Sequence, residues 1–264
     1  MTRRSIHPAA WIVWATCAGA VAFVTTDPVY LALLWTVSWF VYATHRSDQD
    51  HARSFRVFVT GAVVAVVLRT ALVFFGTISV ANTSFSFLEG FRLGTILVIF
   101  GTFNAVTDPF GLVRMAPRHF HEPALAAALA LSIAPRTVTS VGRVREAQRL
   151  RGLAVHGVRT LPALAVPVLE RGMEEAHTLA ESMDARGHGR GRRSRYRPQP
   201  WSVRSTVVAA AAAIAAGAFL AASVGGWAVL HPATAPLAWP QTDPVLIAAV
   251  ACLALPGLIG GTPS

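Results

Sequence analysis

The sequence contains no lysine, and all 23 of its basic residues are arginine. The phosphate-binding loop of nucleotide hydrolases uses a lysine to reach the β- and γ-phosphates. A chain without lysine therefore cannot be a conventional P-loop ATPase. If this protein takes part in ATP-driven transport, another subunit must hydrolyse the nucleotide.

Cysteine is nearly absent, and the two residues present, Cys17 and Cys252, lie in apolar runs. Thiols in such runs usually act as small hydrophobic side chains. Two isolated cysteines form neither a disulfide framework nor a zinc site. His119 and His121 are close in sequence, but charged residues flank them and no cysteine is near, which favours a solvated loop. We therefore expect no metal site in this chain.

Charged residues are scarce, at 14% of the chain, whereas 53% of the residues are hydrophobic. A typical soluble domain carries about 25% charged residues, and a bilayer core requires about 20 apolar residues per helix. The sequence therefore predicts an all-α polytopic membrane protein with five or six transmembrane helices, because three of the six candidate stretches are short. These stretches are Ala9–Val24, Val29–Ala43, Val57–Phe75, Leu93–Val106, Val207–Leu230 and Pro244–Ile259.

The first apolar run follows Arg3 and Arg4, as in a secretory signal peptide. However, only the short turn Thr25–Pro28 separates it from a second apolar run. We therefore expect a retained membrane hairpin.

The arginines alternate between successive predicted loops. They occur at the N-terminus, between the second and third spans, and sixteen times from Phe110 to Arg204, but not in Thr25–Pro28, Thr77–Phe87 or His231–Asp243. Arginine collects on the cytoplasmic side of membranes. We therefore predict a multi-pass protein of the cell membrane with its N-terminus and residues 110–200 in the cytoplasm. Residues 1–109 would form about four spans, and residues 201–264 one or two.

Two arginines lie within or beside predicted spans, where ionisable groups are often functional. Arg92 stands close to Glu89, so we expect it to pair with that residue or to extend its side chain to the membrane surface. Arg69 requires a partner or a route to the surface, and Asp27 is a candidate.

The cytoplasmic segment begins with a helical pattern rich in alanine and leucine that opens at Pro123, a residue well suited to a first turn. Pro135 is expected to break or kink this helix. Beyond it, apolar positions fall on one side up to Gly152, where glycine favours the end of the helix.

A second amphipathic helix is predicted after breaks at Pro162 and Pro167. Its apolar positions are spaced four, three, four and three residues apart, which is a heptad-like pattern. These positions are Leu169, Met173, Ala176, Ala180 and Met183. The helix should end at Gly187.

The two helices end in similar sequences, with a glutamate five residues before an Arg-Gly pair and the two arginines 35 positions apart. Ordinary capping explains one such end, because a basic residue in the last turn complements the helix dipole. The repetition suggests docking, since an arginine beside a glycine can enter a groove on a partner. The candidate partner-binding residues are Glu146, Leu150, Arg151, Gly152, Glu181, Ala185, Arg186 and Gly187.

The stretches SIAPRTVTSVGRVREAQRLRG and VPVLERGMEEAHTLAESMDARG resemble the transmembrane (T) component of energy-coupling factor (ECF) transporters, a family that includes the cobalt-transport Q-type proteins. That family carries two Ala-Arg-Gly motifs on cytoplasmic coupling helices. Ala185-Arg186-Gly187 matches fully, whereas Leu150-Arg151-Gly152 has leucine in place of alanine. The resemblance is specific over about residues 123–187 and extends to the remaining chain through its layout.

The resemblance implies a non-catalytic coupling scaffold of an ABC-type importer. Two cytoplasmic ATPase subunits would bind the coupling helices, with each motif arginine in a groove of one ATPase. A membrane-embedded, substrate-binding S component would pack against the scaffold within the lipid bilayer. ATP would be bound by the partners, so no catalytic residue or cofactor is expected in this chain. In that family the S component binds the substrate, which would be a water-soluble vitamin or a nickel or cobalt ion.

Two alternatives compete with the scaffold. The basic run Arg186–Arg197 is of a kind that binds nucleic acid, but it directly precedes a span, where attraction to anionic lipid explains it better. We therefore expect no nucleic-acid partner. A self-contained permease with its own substrate path would carry polar residues facing inward from several spans. Apart from Arg69, the sequence offers Asn104 and Asp108 near the inner end of the fourth span.

Overall fold

The computed structural model describes residues 6–45, 49–75, 79–152, 161–188, 200–232 and 242–260, and these residues form helices and turns without a strand. This confirms the predicted all-α membrane fold. The chain divides into two compact units. We call Met1–Leu112 together with Gln199–Ser264 the membrane unit, and Val113–Pro198 the middle unit.

Ten α-helices are described in chain order: α1 (Pro8–Val24), α2 (Pro28–His45), α3 (Gln49–Ala71), α4 (Val80–Val106), α5 (Pro109–Arg114), α6 (His121–Leu150), α7 (Leu161–Ala185), α8 (Val203–Gly225), α9 (Pro244–Cys252) and α10 (Leu255–Gly260). Short 3-10 turns lie at Leu72–Phe75 and Arg118–Phe120. Within the described ranges, four helical stretches are long and apolar enough to cross a membrane, namely Ser54–Phe75, Val80–Val106, Glu122–Leu150 and Val203–Gly225, and α1 is a shorter apolar helix. The third of these lies in the middle unit and was not among the predicted spans.

The prolines act differently from their predicted roles. Pro135 lies inside α6 and Pro167 inside α7, and both helices continue through them, so the predicted break at Pro167 is wrong and, of the two alternatives given for Pro135, the break is excluded. An internal proline removes one helix hydrogen bond and crowds the carbonyl four residues earlier, at a cost of about 3 kcal/mol, and in α6 and α7 the flanking turns remain helical despite this cost. Pro162 sits in the first turn of α7, where a missing N–H costs nothing. The last apolar run is instead split at Leu253, just before Pro256 at the start of α10.

Helix α4 begins much earlier than its apolar run. The predicted loop Thr77–Phe87 is wrong over most of its length, because the helix starts at Val80 and continues for 27 residues. The Ser79 hydroxyl caps it by accepting a hydrogen bond from the Asn82 amide at 3.2 Å. The Thr83 and Ser84 hydroxyls then donate hydrogen bonds to backbone carbonyls one turn earlier. Polar residues are thereby accommodated in this first part of the helix.

The core of the membrane unit is built where α1 packs against α8 and α4, and where α2 packs against α4. Small residues dominate the facing sides of α1 and α8, with buried alanines at Ala15, Ala18, Ala212 and Ala215. Small side chains allow close approach of helix backbones, which is how apolar helices gain packing energy in a bilayer.

Hydrogen bonds join the N-terminal and C-terminal parts of the membrane unit. The Trp14 indole N–H donates to the buried Leu253 carbonyl at 2.9 Å, at the break between α9 and α10. The Tyr30 hydroxyl accepts from the Asp243 amide at 2.7 Å. The Thr25 hydroxyl donates to the Leu230 carbonyl at 2.9 Å. These bonds fix the C-terminal helices against the first hairpin.

Glycines let α3 and α4 approach closely. A β-carbon on Gly90 would lie 3.0 Å from the Val66 α-carbon, and one on Gly101 would lie 2.6 Å from the Phe58 β-carbon. Gly94 faces Val66 from the same side. We call Gly90, Gly94 and Gly101 the glycine stripe. It permits a close contact between the two helices, and even a methyl group at these positions would require neighbouring atoms to shift.

The predictions for the two arginines in or beside the spans, Arg92 and Arg69, differ in outcome. Arg92 pairs with Glu89 at 3.0 Å, with both side chains 20% exposed, which confirms that prediction. Its guanidinium also lies 5.4 Å from the centroid of the Phe23 ring. Arg69 donates a hydrogen bond to the Ser86 hydroxyl at 3.2 Å. The suggested pairing with Asp27 is wrong, because the Asp27 carboxylate accepts instead from the Val29 amide at the start of α2.

Replacing Arg92 with glutamine should destabilise the protein by about 1–3 kcal/mol, because the mostly buried Glu89 carboxylate loses its charged partner. Thermal unfolding in detergent measures the change. The double variant Glu89→Gln plus Arg92→Gln removes both charges and should recover most of the loss. Equal destabilisation in the single and double variants would contradict this account.

Candidate partner-docking site

The ends of α6 and α7 have the same backbone geometry. The last helical residues are Leu150 and Ala185, and each helix is followed by arginine and then glycine. Gly152 has φ 78° and Gly187 has φ 76°. This left-handed conformation suits glycine and ends a helix. The helix ends predicted from the two Arg-Gly pairs are therefore confirmed, and each arginine occupies the position directly before the left-handed residue.

Matching hydrogen bonds close the two ends. The Gly152 amide donates to the Arg149 carbonyl at 3.0 Å, and the Gly187 amide donates to the Asp184 carbonyl at 2.8 Å. After α7, the His188 amide also donates to the Met183 carbonyl at 2.9 Å. The bonds after α7 form a Schellman motif. The two arginines are therefore held at equivalent positions on two rigid helix ends.

Both arginines lie on the surface. Arg151 and Arg186 are exposed, and neither guanidinium makes a hydrogen bond or ion pair with another residue in the described part of the chain. The residues before them are also exposed, with Leu150 at 85%. A planar guanidinium presented in this way is available for paired hydrogen bonds to a partner's carboxylate or carbonyl groups.

Among the described residues, Gly152 and Gly187 have no packing neighbours. A β-carbon added to Gly152 or Gly187 would meet no atom within 4 Å. Their backbone conformation accounts for the choice of glycine, and the open space beside them leaves the backbone accessible. A partner surface can therefore approach each helix end closely.

The two predicted glutamates lie one turn before the arginines, and both are exposed. Glu181 lies 3.2 Å from the His177 ring nitrogen. The structure thus places each glutamate on the same helix as its arginine, as the sequence requires. Nothing in the described contacts links Glu146 or Glu181 directly to the arginine that follows it.

The heptad-like seam of α7 faces outward. Leu169 is 65% exposed and Met173 is 73% exposed. Val166, which precedes the seam, is also exposed because α7 starts earlier than predicted. Exposed apolar residues in a continuous row indicate an interaction surface. The spacing of apolar residues predicted the seam from Leu169 onward. Val166 was not predicted as part of it, because it lies before Pro167, where the sequence predicts a break.

The rest of the predicted features can be placed only in part. Of the basic run Arg186–Arg197, residues 189–197 lie outside the described residues, so its predicted attraction to lipid stays a prediction. Within the described chain, no group of three or more histidine, cysteine or acidic residues could hold a metal ion. The sequence predicted the first half of α6 as an alanine- and leucine-rich helix, but this half was not among the candidate spans, although residues 123–135 carry no charge.

Alanine at Gly152 or Gly187 should loosen the helix end by about 1–2 kcal/mol, because a side chain disfavours the left-handed backbone. Faster hydrogen exchange of the amides in the closing turn would reveal it. Gly142→Ala and Gly172→Ala are matched controls, since these glycines lie inside α6 and α7 with open space around them. The controls should stabilise their helices by up to about 1 kcal/mol. Unchanged exchange at both ends would contradict the strain argument.

No protein-family model matches this sequence. Over 105 residues the chain is 30% identical to the energy-coupling factor transporter transmembrane protein EcfT of Exiguobacterium sibiricum. The aligned region covers 37% of this chain and 39% of that protein, so the similarity spans well under half of either. Together with the apolar helices, this similarity indicates a membrane-embedded protein related to a transporter component.

Proposed function

We propose that this chain is the transmembrane coupling scaffold of an ECF-type ABC importer. The single observation that carries the proposal is the pair of helix ends, each with an exposed arginine fixed directly before a left-handed glycine. Local similarity to an ECF transmembrane protein supports it.

Equivalent helix ends suit equivalent partners. An arginine held at the end of a helix enters a groove with little loss of backbone freedom, and its guanidinium bonds to carboxylate or carbonyl groups there. Two such ends with the same closing hydrogen bonds would dock two similar ATPase subunits. The exposed seam of α7 would add apolar contact beside the charged one.

Coupling requires that force applied at the helix ends reaches the rest of the chain. Helices α6 and α7 contact one another and contain 30 and 25 residues. Packed helices move as rigid elements. In this proposal, ATP-driven closure of the two ATPases displaces the coupling helices, and the displacement reaches a membrane-embedded S component that holds a vitamin or a transition-metal ion.

Hydrolysis is assigned to the partners. The chain has no lysine, and the phosphate-binding loop of an ATPase requires one. The scaffold therefore acts as a non-catalytic subunit. The N-terminus and residues 110–200 would face the cytoplasm, where the ATPases are.

The geometry favours a scaffold over a self-contained permease. Asn104 lies on the exposed surface of α4, and Asp108 accepts hydrogen bonds from the Phe110 and Gly111 amides at the start of α5. Glu89 and Arg92 neutralise one another. A substrate path would need such groups to converge on a common interior space.

Photo-cross-linking tests the docking. A photoreactive phenylalanine at Leu150 or Ala185, both exposed, should capture a nucleotide-binding ATPase subunit when the transporter's subunits are expressed together. Val224 is the control position. It is 89% exposed, but it lies at the end of α8 that the predicted topology places on the side of the membrane away from the ATPases. Capture of the ATPase from position 224 and not from the helix ends would overturn the proposal.

A further inference from the structure

The first half of α6 is an uncharged segment on the surface of the middle unit. Residues 123–135 contain no charged side chain, and we call them the apolar segment. The stretch Glu122–Leu150 is long and apolar enough to cross a membrane, yet none of its most apolar part is buried by the described residues of the chain. Exposed apolar surface of this extent requires a covering.

The distribution of apolar residues indicates what the covering is. In α7 the apolar residues form one seam, and the opposite side carries Glu170, Glu174 and Arg171, as expected for a helix that contacts protein on one side. The apolar segment has no charged side at all. A helix that is apolar all round is buried either in the core of a large protein or in a membrane, and within the described residues no protein core covers this one.

The polar atoms of the apolar segment are also adapted to lipid. Ser132 is its single polar side chain, and its hydroxyl donates to the Leu129 carbonyl at 2.8 Å. Hydroxyls that bond to their own helix are tolerated in a bilayer. Pro135 has no N–H to offer the Leu131 carbonyl, but it stands at the end of the segment, next to the exposed Arg136. Water at the level of the lipid headgroups can reach that carbonyl.

The apolar segment is too short to cross the bilayer. Thirteen residues of helix extend about 20 Å, whereas the hydrocarbon core is about 30 Å thick. Arg136 follows it directly, and Arg114 and Arg118 precede it, with Glu122 between them and the segment. Basic residues at both ends keep both ends on the same side of the membrane and are attracted to anionic headgroups there.

We propose that the apolar segment is buried in the cytoplasmic leaflet of the bilayer, with the flanking arginines at the level of the lipid phosphates. The proposal rests on the cytoplasmic side assigned to the middle segment, but not on ATPase docking. Lipid then holds the first half of α6, and the arginine-bearing half beyond Pro135 extends toward the cytoplasm.

Site-specific fluorescence in nanodiscs of mixed neutral and anionic phospholipids, without any partner protein, tests this placement. Cys17 and Cys252 are replaced with alanine, and single cysteines at Ala127 and Ser132 carry the fluorophore NBD. Gly142 is the matched control, because it is exposed on the same helix beyond Pro135 with open space around it. We expect blue-shifted emission at 127 and 132, quenching by spin-labelled acyl chains and loss of quenching by aqueous iodide. The label at 142 should show the opposite behaviour.

Three outcomes would overturn the proposal. Iodide quenching at 127 and 132 equal to that at 142 would show a segment in water. Protection that appears only after partner subunits are added would show a protein surface. Reaction of the unlabelled cysteine at 127 with an impermeant thiol reagent applied from the extracellular side of cells would show a full span. The NBD signals should persist when Arg151 and Arg186 are both changed to glutamate, so this proposal and the docking proposal fail separately.

Discussion

Changing Arg151 and Arg186 together to glutamate should remove both ATPase subunits from the purified protein and abolish transport, while the protein still inserts into the membrane. Both guanidinium groups are exposed at helix ends, so the substitutions disturb no described contact within the chain. In a partner groove, however, each would place a negative charge where the proposal requires a positive one.

The expected effect is large. Loss of a buried, hydrogen-bonded charge at an interface costs about 2–5 kcal/mol, which corresponds to roughly a 30-fold or greater increase in Kd. A single reversal should be milder, because the remaining helix end still holds one ATPase and the dimer of ATPases retains the other. Co-purification of tagged subunits measures the loss directly, and substrate uptake measures its consequence.

The control for charge is a second double reversal on the same two helices. Arg143 and Arg171 are exposed upstream of the helix ends, and changing both to glutamate alters the net charge by the same amount. Arg171 makes only an exposed pair with Glu175 at 3.0 Å, and exposed pairs contribute about 0–1 kcal/mol. The control should retain its ATPases. Retention of the ATPases in the Arg151 and Arg186 variant would refute docking through these residues.

Replacing Gly101 with leucine should separate α3 from α4 and leave little correctly folded protein. A β-carbon there would approach the Phe58 β-carbon to 2.6 Å, so the two helices must move apart. Overpacking of this kind costs about 1–3 kcal/mol when a flexible side chain can yield. Here the obstructing atom is next to the backbone of α3, so the loss should lie at or above the top of that range.

Gly61 supplies a matched control for the glycine stripe. It lies in α3, in the same hairpin, but a β-carbon there would meet no atom within 4 Å. Gly61→Leu should therefore be tolerated, and thermal unfolding in detergent should distinguish the two variants. Alanine substitutions should change stability in opposite directions at the two positions. Gly61→Ala should stabilise the protein, because alanine favours a helix by about 1 kcal/mol over glycine where space allows, whereas Gly101→Ala should destabilise it. Similar stability of the Gly101 and Gly61 variants would show that α3 and α4 are not closely packed.

Features that depend on a few neighbouring residues were predictable from the sequence. The ends of α6 and α7 followed from Gly152 and Gly187, because a left-handed residue is a local requirement that glycine meets. The pairing of Glu89 with Arg92 was also local, since residues three apart are neighbours on a helix. The start of α4 had a local signal too, the capping hydroxyl of Ser79, but hydropathy alone placed the boundary at the apolar run.

Proline was the main source of error, and the reason is energetic. Pro135 and Pro167 each remove one hydrogen bond from a helix, and whether a helix continues depends on whether other interactions offset about 3 kcal/mol. No local sequence pattern shows whether those interactions exceed the cost of the proline. Pro256 has the same chemistry, yet α9 and α10 are separate helices there, and the Trp14 indole bonds to the Leu253 carbonyl at the break.

The sequence by itself determined the membrane class, the helical fold and the two glycine-terminated ends, because hydropathy, composition and capping act over a few residues. Tertiary structure alone decided that Arg69 bonds to Ser86, that Gly101 faces Phe58, and that Trp14 bonds to Leu253. These partners stand 17, 43 and 239 positions apart in the chain. Their meeting depends on how whole helices pack, and packing energy is summed over many side chains that no local pattern specifies.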